Sequence, residues 1–176
     1  MRRRDITEFK IGDKVVHPLY GVGTLVSIEK QGSVGMAVKS YVIELAHGEG
    51  RLITPVEKAE SLGLRKAVSK RGRRKLWKVF SGRPRRLAEN PLKRQSDIAR
   101  RLREGNFVEV GRVIRDLTWR QGRGRATRGD KRLLQRAKEL LAEELAVSDG
   151  IEVDEAMERI GSALKQRLSG QEGESN

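Results

Sequence analysis

Arginine and lysine carry most of the chemistry this sequence offers. They cluster as Lys70-Arg71-Gly72-Arg73-Arg74-Lys75, Arg83-Pro84-Arg85-Arg86, Lys93-Arg94, Arg100-Arg101-Leu102-Arg103, and an interrupted run from Arg120 to Arg128. A guanidinium is planar and permanently charged, and it meets a phosphate with two parallel hydrogen bonds where an ammonium acts as a point charge. Arginine outnumbers lysine in these runs, so they suit phosphate contact along a nucleic acid or another polyanion. Such contacts supply affinity without reading sequence. No base-reading Asn or Gln marks out a recognition helix, so direct readout is not expected.

Other chemistries fail on residue type. With no cysteine there is no thiol nucleophile, disulfide or cysteine-ligated zinc, and His17 and His47 are too few for a histidine-rich metal site. No phosphate loop, nucleophile elbow or His-Glu-x-x-His pair occurs. Tyr20-Gly21-Val22-Gly23 places two glycines close together but leads into no helix, which argues against a dinucleotide site. His17, before Pro18, and His47, in a glycine-rich turn, read as polar loop residues. Glu143-Glu144 and Asp154-Glu155 read as solvated helix faces, the second pair favoured by the dipole of the helix it opens. The expectation is a non-enzymatic chain without a cofactor.

The elements that position these residues fall into two groups. Residues 1–60 carry a net charge of +1, residues 61–137 carry +19 and residues 138–176 carry −6, within an overall +14. Between Phe9 and Pro55 the apolar pattern is short and β-branched: Val15-Val16, Leu25 to Ile28, Tyr41 to Leu45 and Leu52 to Thr54, punctuated by Gly12, Pro18, Gly21, Gly23, Gly32, Gly35, Gly48 and Gly50. Four short strands with no helical stretch between them predict a small curled sheet, an SH3- or Tudor-like β-barrel. After Pro55 the period becomes helical. Leu76, Trp77, Val79 and Phe80 make one cluster, and Ile98 with Leu102 a pair. Phe107, Val110, Ile114 and Leu117 make a stripe, as do Leu133 to Leu145 and Val153 to Leu164. Thr127 to Asp130 has capping-box spacing. The fold class is therefore α+β multidomain, an SH3/Tudor-like β-barrel followed by an all-α helical bundle of four or five helices. Gly82–Pro91 reads as an ordered loop or a short linker. The acids of 138–176 read as balancing arginines within the bundle, or as keeping one face away from phosphate.

No window approaches the roughly 18 consecutive apolar residues of a membrane helix, and the basic start is not followed by an apolar stretch, so no secretory leader is expected. A cytoplasmic address and an anionic partner fit this composition.

The segment Phe9-Lys-Ile-Gly-Asp-Lys-Val-Val-His-Pro-Leu-Tyr-Gly-Val-Gly23 resembles the opening of the CarD/CdnL family of bacterial transcription regulators. Leu52 to Glu60 resembles that family's last barrel strand and following turn, and Leu62 to Arg65 its exit. Leu102 to Asn106, Val113 to Leu117 and Ala137 to Leu145 resemble its helical domain. The first motif alone is shared with the polymerase-interacting domain of the transcription–repair coupling factor; the helical matches favour the stand-alone regulator.

The resemblance, which runs from about 9 to 168, implies a Tudor-like domain at 9–68 docking on the β subunit of RNA polymerase and a basic DNA-binding helical domain at 69–168; outside it lie a tail at 1–8 and a polar tail at 169–176 that reads as disordered. It implies contact with promoter DNA upstream of the −10 element, stabilisation of the open complex, and association with the nucleoid through polymerase; a monomer is the expected state, with other oligomers left open. By order along the motif, Gln31 and Ile53 match positions where some relatives place polymerase-contacting arginines; neither is basic here. Arg51, beside Leu52, either replaces that charge or is an ordinary exposed strand residue. Pro91 falls where the family carries a minor-groove wedge tryptophan, and Lys93 and Arg94 match its basic neighbours. Pro91-Leu92 can itself act as a wedge. Arg85, Arg86, Arg101, Arg123, Arg125 and Arg128 complete the expected DNA contacts. Trp77 and Trp119 do not align with the wedge and read as core or near-core. Two other functions compete: a general nucleic-acid-binding or ribosome-associated module, and a pure protein-interaction adaptor for which the +19 segment is incidental.

Overall fold

The computed structural model describes residues 8–31, 37–46 and 50–172, with backbone alone at Gln31 and 166–172. His47, Gly32, Gly35, Gly48 and the tail at 1–7 lie outside the described residues. The chain divides into two units between Ala67 and Val68.

The first unit is an antiparallel sheet of five strands, β1 (Lys14–His17), β2 (Gly21–Gln31), β3 (Val38–Leu45), β4 (Arg51–Pro55) and β5 (Arg65–Lys66). Their order across the sheet is β4-β3-β2-β1-β5, which leaves β4 and β5 as edges. Phe9, Val15, Leu25, Tyr41, Ile43, Ala59 and Leu64 form the core beneath it, with Phe9 edge-on to Tyr41 at 5.4 Å between ring centroids. The two glycines after Tyr20 do different work. Gly21 opens β2 with φ +80, which L side chains rarely adopt. Gly23 admits β3: a Cβ there would lie 2.5 Å from Ile43 Cγ2 and 2.6 Å from the Glu44 carbonyl oxygen. A register shift between Leu25 and Ser27 adds a bulge to the long strand β2.

Two expectations for this unit are corrected. The last strand is β5, not the Leu52 segment, and two residues pairing Val15 and Val16 are too short to show a period. His17 is the last residue of β1, buried, with Nδ1 accepting from the Leu19 amide at 3.2 Å; desolvation lowers its pKa from the usual value.

The second unit is a bundle of five helices, α1 (Lys70–Ser81), α2 (Pro91–Arg103), α3 (Phe107–Gly122), α4 (Arg128–Asp149) and α5 (Val153–Glu172). The predicted stripes supply its core: Leu76, Phe80, Ile98, Phe107, Val110, Ile114, Leu117, Leu141 and Ile160 belong to one buried cluster. α3 is the central helix and packs against the other four. It approaches α1 so closely at Gly111 that a Cβ there would lie 2.3 Å from Leu76 Cδ1. Local signals set the helix starts. Ser69, Asn90 and Asn106 each accept from backbone amides of the first turn, Pro91 sits at the start of α2, and Thr127 with Asp130 closes the capping box. α5 runs to Glu172, so the expected tail at 169–176 is helical as far as Glu172, and residues 173–176 lie outside the description.

Some acids of the last segment pair within the bundle, and Glu144, expected on a solvated face, is buried. Asp149 meets Arg73 at 2.7 Å and Arg159 at 3.6 Å, and Glu144 accepts from the Val68 amide at 2.9 Å.

Candidate nucleic-acid interface

Four pieces of the helical unit carry the exposed residues expected to meet DNA: the loop between α1 and α2, the first turn of α2, the end of α3 and the start of α4. What fixes the loop is two buried arginines. Arg94 is 1% exposed and donates through Nε and Nη2 to the two oxygens of Asp130, at 3.0 and 2.9 Å. Its Nη1 donates to the carbonyls of Ala88 and Glu89, at 2.7 and 2.9 Å. One side chain thus ties α2, the start of α4 and the loop. Asp130 also accepts from the Thr127 amide. Burial opposes its charge, but the Arg94 and Thr127 hydrogen bonds prevail and hold the carboxyl below its usual pKa. Arg115 makes the second anchor: its Nε and Nη2 donate to Asp116 Oδ1, which also accepts from the Arg85 amide at 3.0 Å.

Arg94 is therefore corrected as a DNA contact. Its guanidinium is spent on a buried bidentate pair and two carbonyls, and no phosphate can reach it without breaking them. Arg101 is also turned inward, 2.9 Å from Glu109, which pairs with Arg112 as well and lies 3.6 Å from Arg85. Burial again opposes the Glu109 charge, and the two close arginines override it and lower the pKa.

The other expected residues are exposed. Pro91, Leu92 and Lys93 form the first turn of α2, where Leu92 is 79% exposed, an isolated apolar side chain beside a positive one. Arg128 is exposed in the first turn of α4. Arg85, Arg86, Arg123 and Arg125 converge on one cleft of about 360 Å³ between the loop and the end of α3. Trp119 lines it, with the Arg123 guanidinium 4.4 Å from its ring centroid. Trp77 packs against the core as expected, whereas Trp119, read as core or near-core, is partly buried outside that cluster and lines the cleft. The signal was present in the spacing. Position 119 lies two residues past Leu117 and so falls on the opposite face from the apolar stripe.

In the sheet unit, Arg51, Leu52 and Ile53 lie on edge strand β4. Arg51 and Ile53 are exposed, Ile53 by 48%, while Leu52 packs on the core. Gln31 ends β2 opposite Val38, away from β4. The four do not form one cluster: three share a strand and Gln31 is two strands away. Among the described residues no three His, Asp or Glu side chains group as a metal site would need, and no helix is long and apolar enough to cross a membrane.

Comparison with known proteins follows the same two units. Residues 9–68 match the CarD-like/TRCF RID domain, and residues 75–161 match the CarD C-terminal domain. The chain is also 28% identical over 145 residues to YdeB of Bacillus subtilis (strain 168), a protein named for a proposed role as a transcription factor; the match covers 81% of this chain and 94% of that one. The two domain matches lie in the same order and together span most of the sequence, and the chain belongs to the CarD family of transcription factors.

Proposed function

We propose that this protein is a non-enzymatic, cytoplasmic regulator that docks on the β subunit of RNA polymerase through β4 and contacts promoter DNA near the upstream edge of the −10 element through its helical unit. It shifts polymerase toward the open promoter state and meets the nucleoid through polymerase, acting as a monomer. The observation that carries the reading is the pairing, in one chain, of a polymerase-interacting domain with a helical unit whose exposed arginines converge. β4 is a sheet edge, and an edge can add a partner's strand through backbone hydrogen bonds. Arg51 and Ile53 project beside that edge and supply side-chain selectivity. A polymerase already at the promoter removes any need for base-specific contacts, which fits an interface built from arginine and one exposed leucine.

The test uses the full chain with Arg51→Glu and Ile53→Glu together. The expected outcome is loss of polymerase capture in a pull-down with unchanged binding to a promoter duplex. Undiminished capture would remove β4 as the docking strand.

A further inference from the structure

The cleft around Trp119 has a composition that phosphate contact does not require. A duplex backbone is held by exposed basic side chains alone, yet here the basic rim surrounds an indole outside the helical core with a guanidinium stacked on it. A tryptophan that stays only partly buried forgoes some of the burial such a side chain usually gains. A ring so placed offers a flat surface to another flat group. The cavity, about 360 Å³, falls at the small end of the range that holds compact ligands. Two residues of its lining, Asp116 and Arg120, lie one helical turn apart on α3, and each keeps a buried polar atom without a hydrogen-bond partner: Asp116 Oδ2, an acceptor, and Arg120 Nε, a donor. Arg120 Nε sits 3.7 Å from Asp130 Oδ2, an ion-pair distance beyond hydrogen-bond range.

We propose that this cleft holds one nucleotide unit, its base stacked on the Trp119–Arg123 pair and its phosphate held by Arg85, Arg86 and Arg125. Stacking on an aromatic or guanidinium plane is open to every base, so such a site is tolerant of sequence. A stacked base in a duplex is not available in this way; the nucleotide must be free or part of an unpaired strand. The inference rests on the nucleic-acid reading of the helical unit and narrows it to a contact with unpaired nucleotides.

The chain contains two tryptophans, so full-length Trp77→Phe protein reports on Trp119 alone. It would be titrated with a ten-nucleotide single strand, the same sequence as a duplex, ATP, and tripolyphosphate. Saturable quenching by the single strand or ATP, several-fold tighter than any response to tripolyphosphate, is the expected result. Quenching by the strand alone assigns the site to unpaired DNA or RNA, and equal quenching by ATP assigns it to a free nucleotide. In labelled-oligonucleotide binding, Trp119→Ala is expected to weaken single-strand affinity roughly fivefold or more, with Trp119→Phe recovering most of it. Duplex affinity should stay within about twofold, because phosphate contacts carry it. The inference is overturned if neither nucleotide quenches Trp119, if tripolyphosphate does so equally well, or if Trp119→Ala weakens duplex and single strand alike. The quenching arm stands whether or not the alanine variant folds. Nucleotide quenching without any duplex binding would instead sink the promoter-duplex reading and keep this one.

Discussion

Arg94 stands in a basic run, beside an exposed lysine and one turn past a helix cap, and its side chain is wholly buried. Its worth is structural. Arg94→Ala leaves Asp130 charged, buried and without its main partner, a change expected to cost about 3–5 kcal/mol of unfolding free energy, measured by urea denaturation. Arg94→Lys keeps the charge but cannot reproduce the fork, and should recover only part of that loss. The same pair sets a pH dependence. The folded pKa of Asp130 lies below its ordinary 3.8, so its stabilisation is complete above that value and is lost as pH falls through the lower, folded one. Denaturation midpoints followed from pH 6 to pH 2 in wild type and Arg94→Lys should therefore converge toward acid; parallel curves would mean that Asp130 is not the group responsible. None of this was legible in the sequence. Asp130 lies 36 residues away, and its fitness for the capping box gave no hint of a second partner. A basic run shows where charge is, but not which members have been claimed by an acid elsewhere in the chain.

Helices and strands were far more legible than the pairings between them. The stripes from Phe107 to Leu117 and from Leu133 to Leu145 became α3 and α4 because period and caps agreed, and agreement across local levels is what specifies an element. β5 escaped notice because two residues have no period, and the end of α5 because a polar, glycine-containing stretch weakens the helical pattern without abolishing the helix. The first turn of α2 was located by resemblance, and its geometry makes Leu92 rather than Pro91 the more projecting apolar group: Pro91 is held at the first helical position, and Leu92 points its side chain to solvent. Leu92→Ala removes little burial and should change stability by less than about 0.5 kcal/mol. If the turn enters the minor groove, the same change should reduce open-complex lifetime at a promoter, read by the decay of permanganate-reactive bases after competitor challenge. An unchanged lifetime would exclude the turn as a wedge.

Across the whole molecule the net charge of +14 is the sum of unequal parts. The sheet unit is nearly neutral and offers a strand edge, while the helical unit holds the excess and spends part of it internally on Asp116, Asp130, Glu109 and Asp149. The arginines left over are fewer than the sequence counts, and they are the ones to test by salt. Replacing Lys93 and Arg125 with alanine should lower the slope of log K against log salt by about 2, near 0.9 for each phosphate no longer neutralised. A slope that does not move would place the duplex elsewhere on the bundle.

The loop that carries Arg85 and Arg86 is held from below by Arg94 at Ala88 and Glu89 and by Asp116 at the Arg85 amide. That anchoring has a kinetic meaning. A segment already in place when DNA arrives has no ordering step to complete, so association should be one-step, with an observed rate rising linearly with DNA concentration and limited by electrostatic steering. Loosening the anchor would introduce a first-order step that saturates. Stopped-flow traces of the wild type and Arg94→Lys would then differ in shape as well as in amplitude.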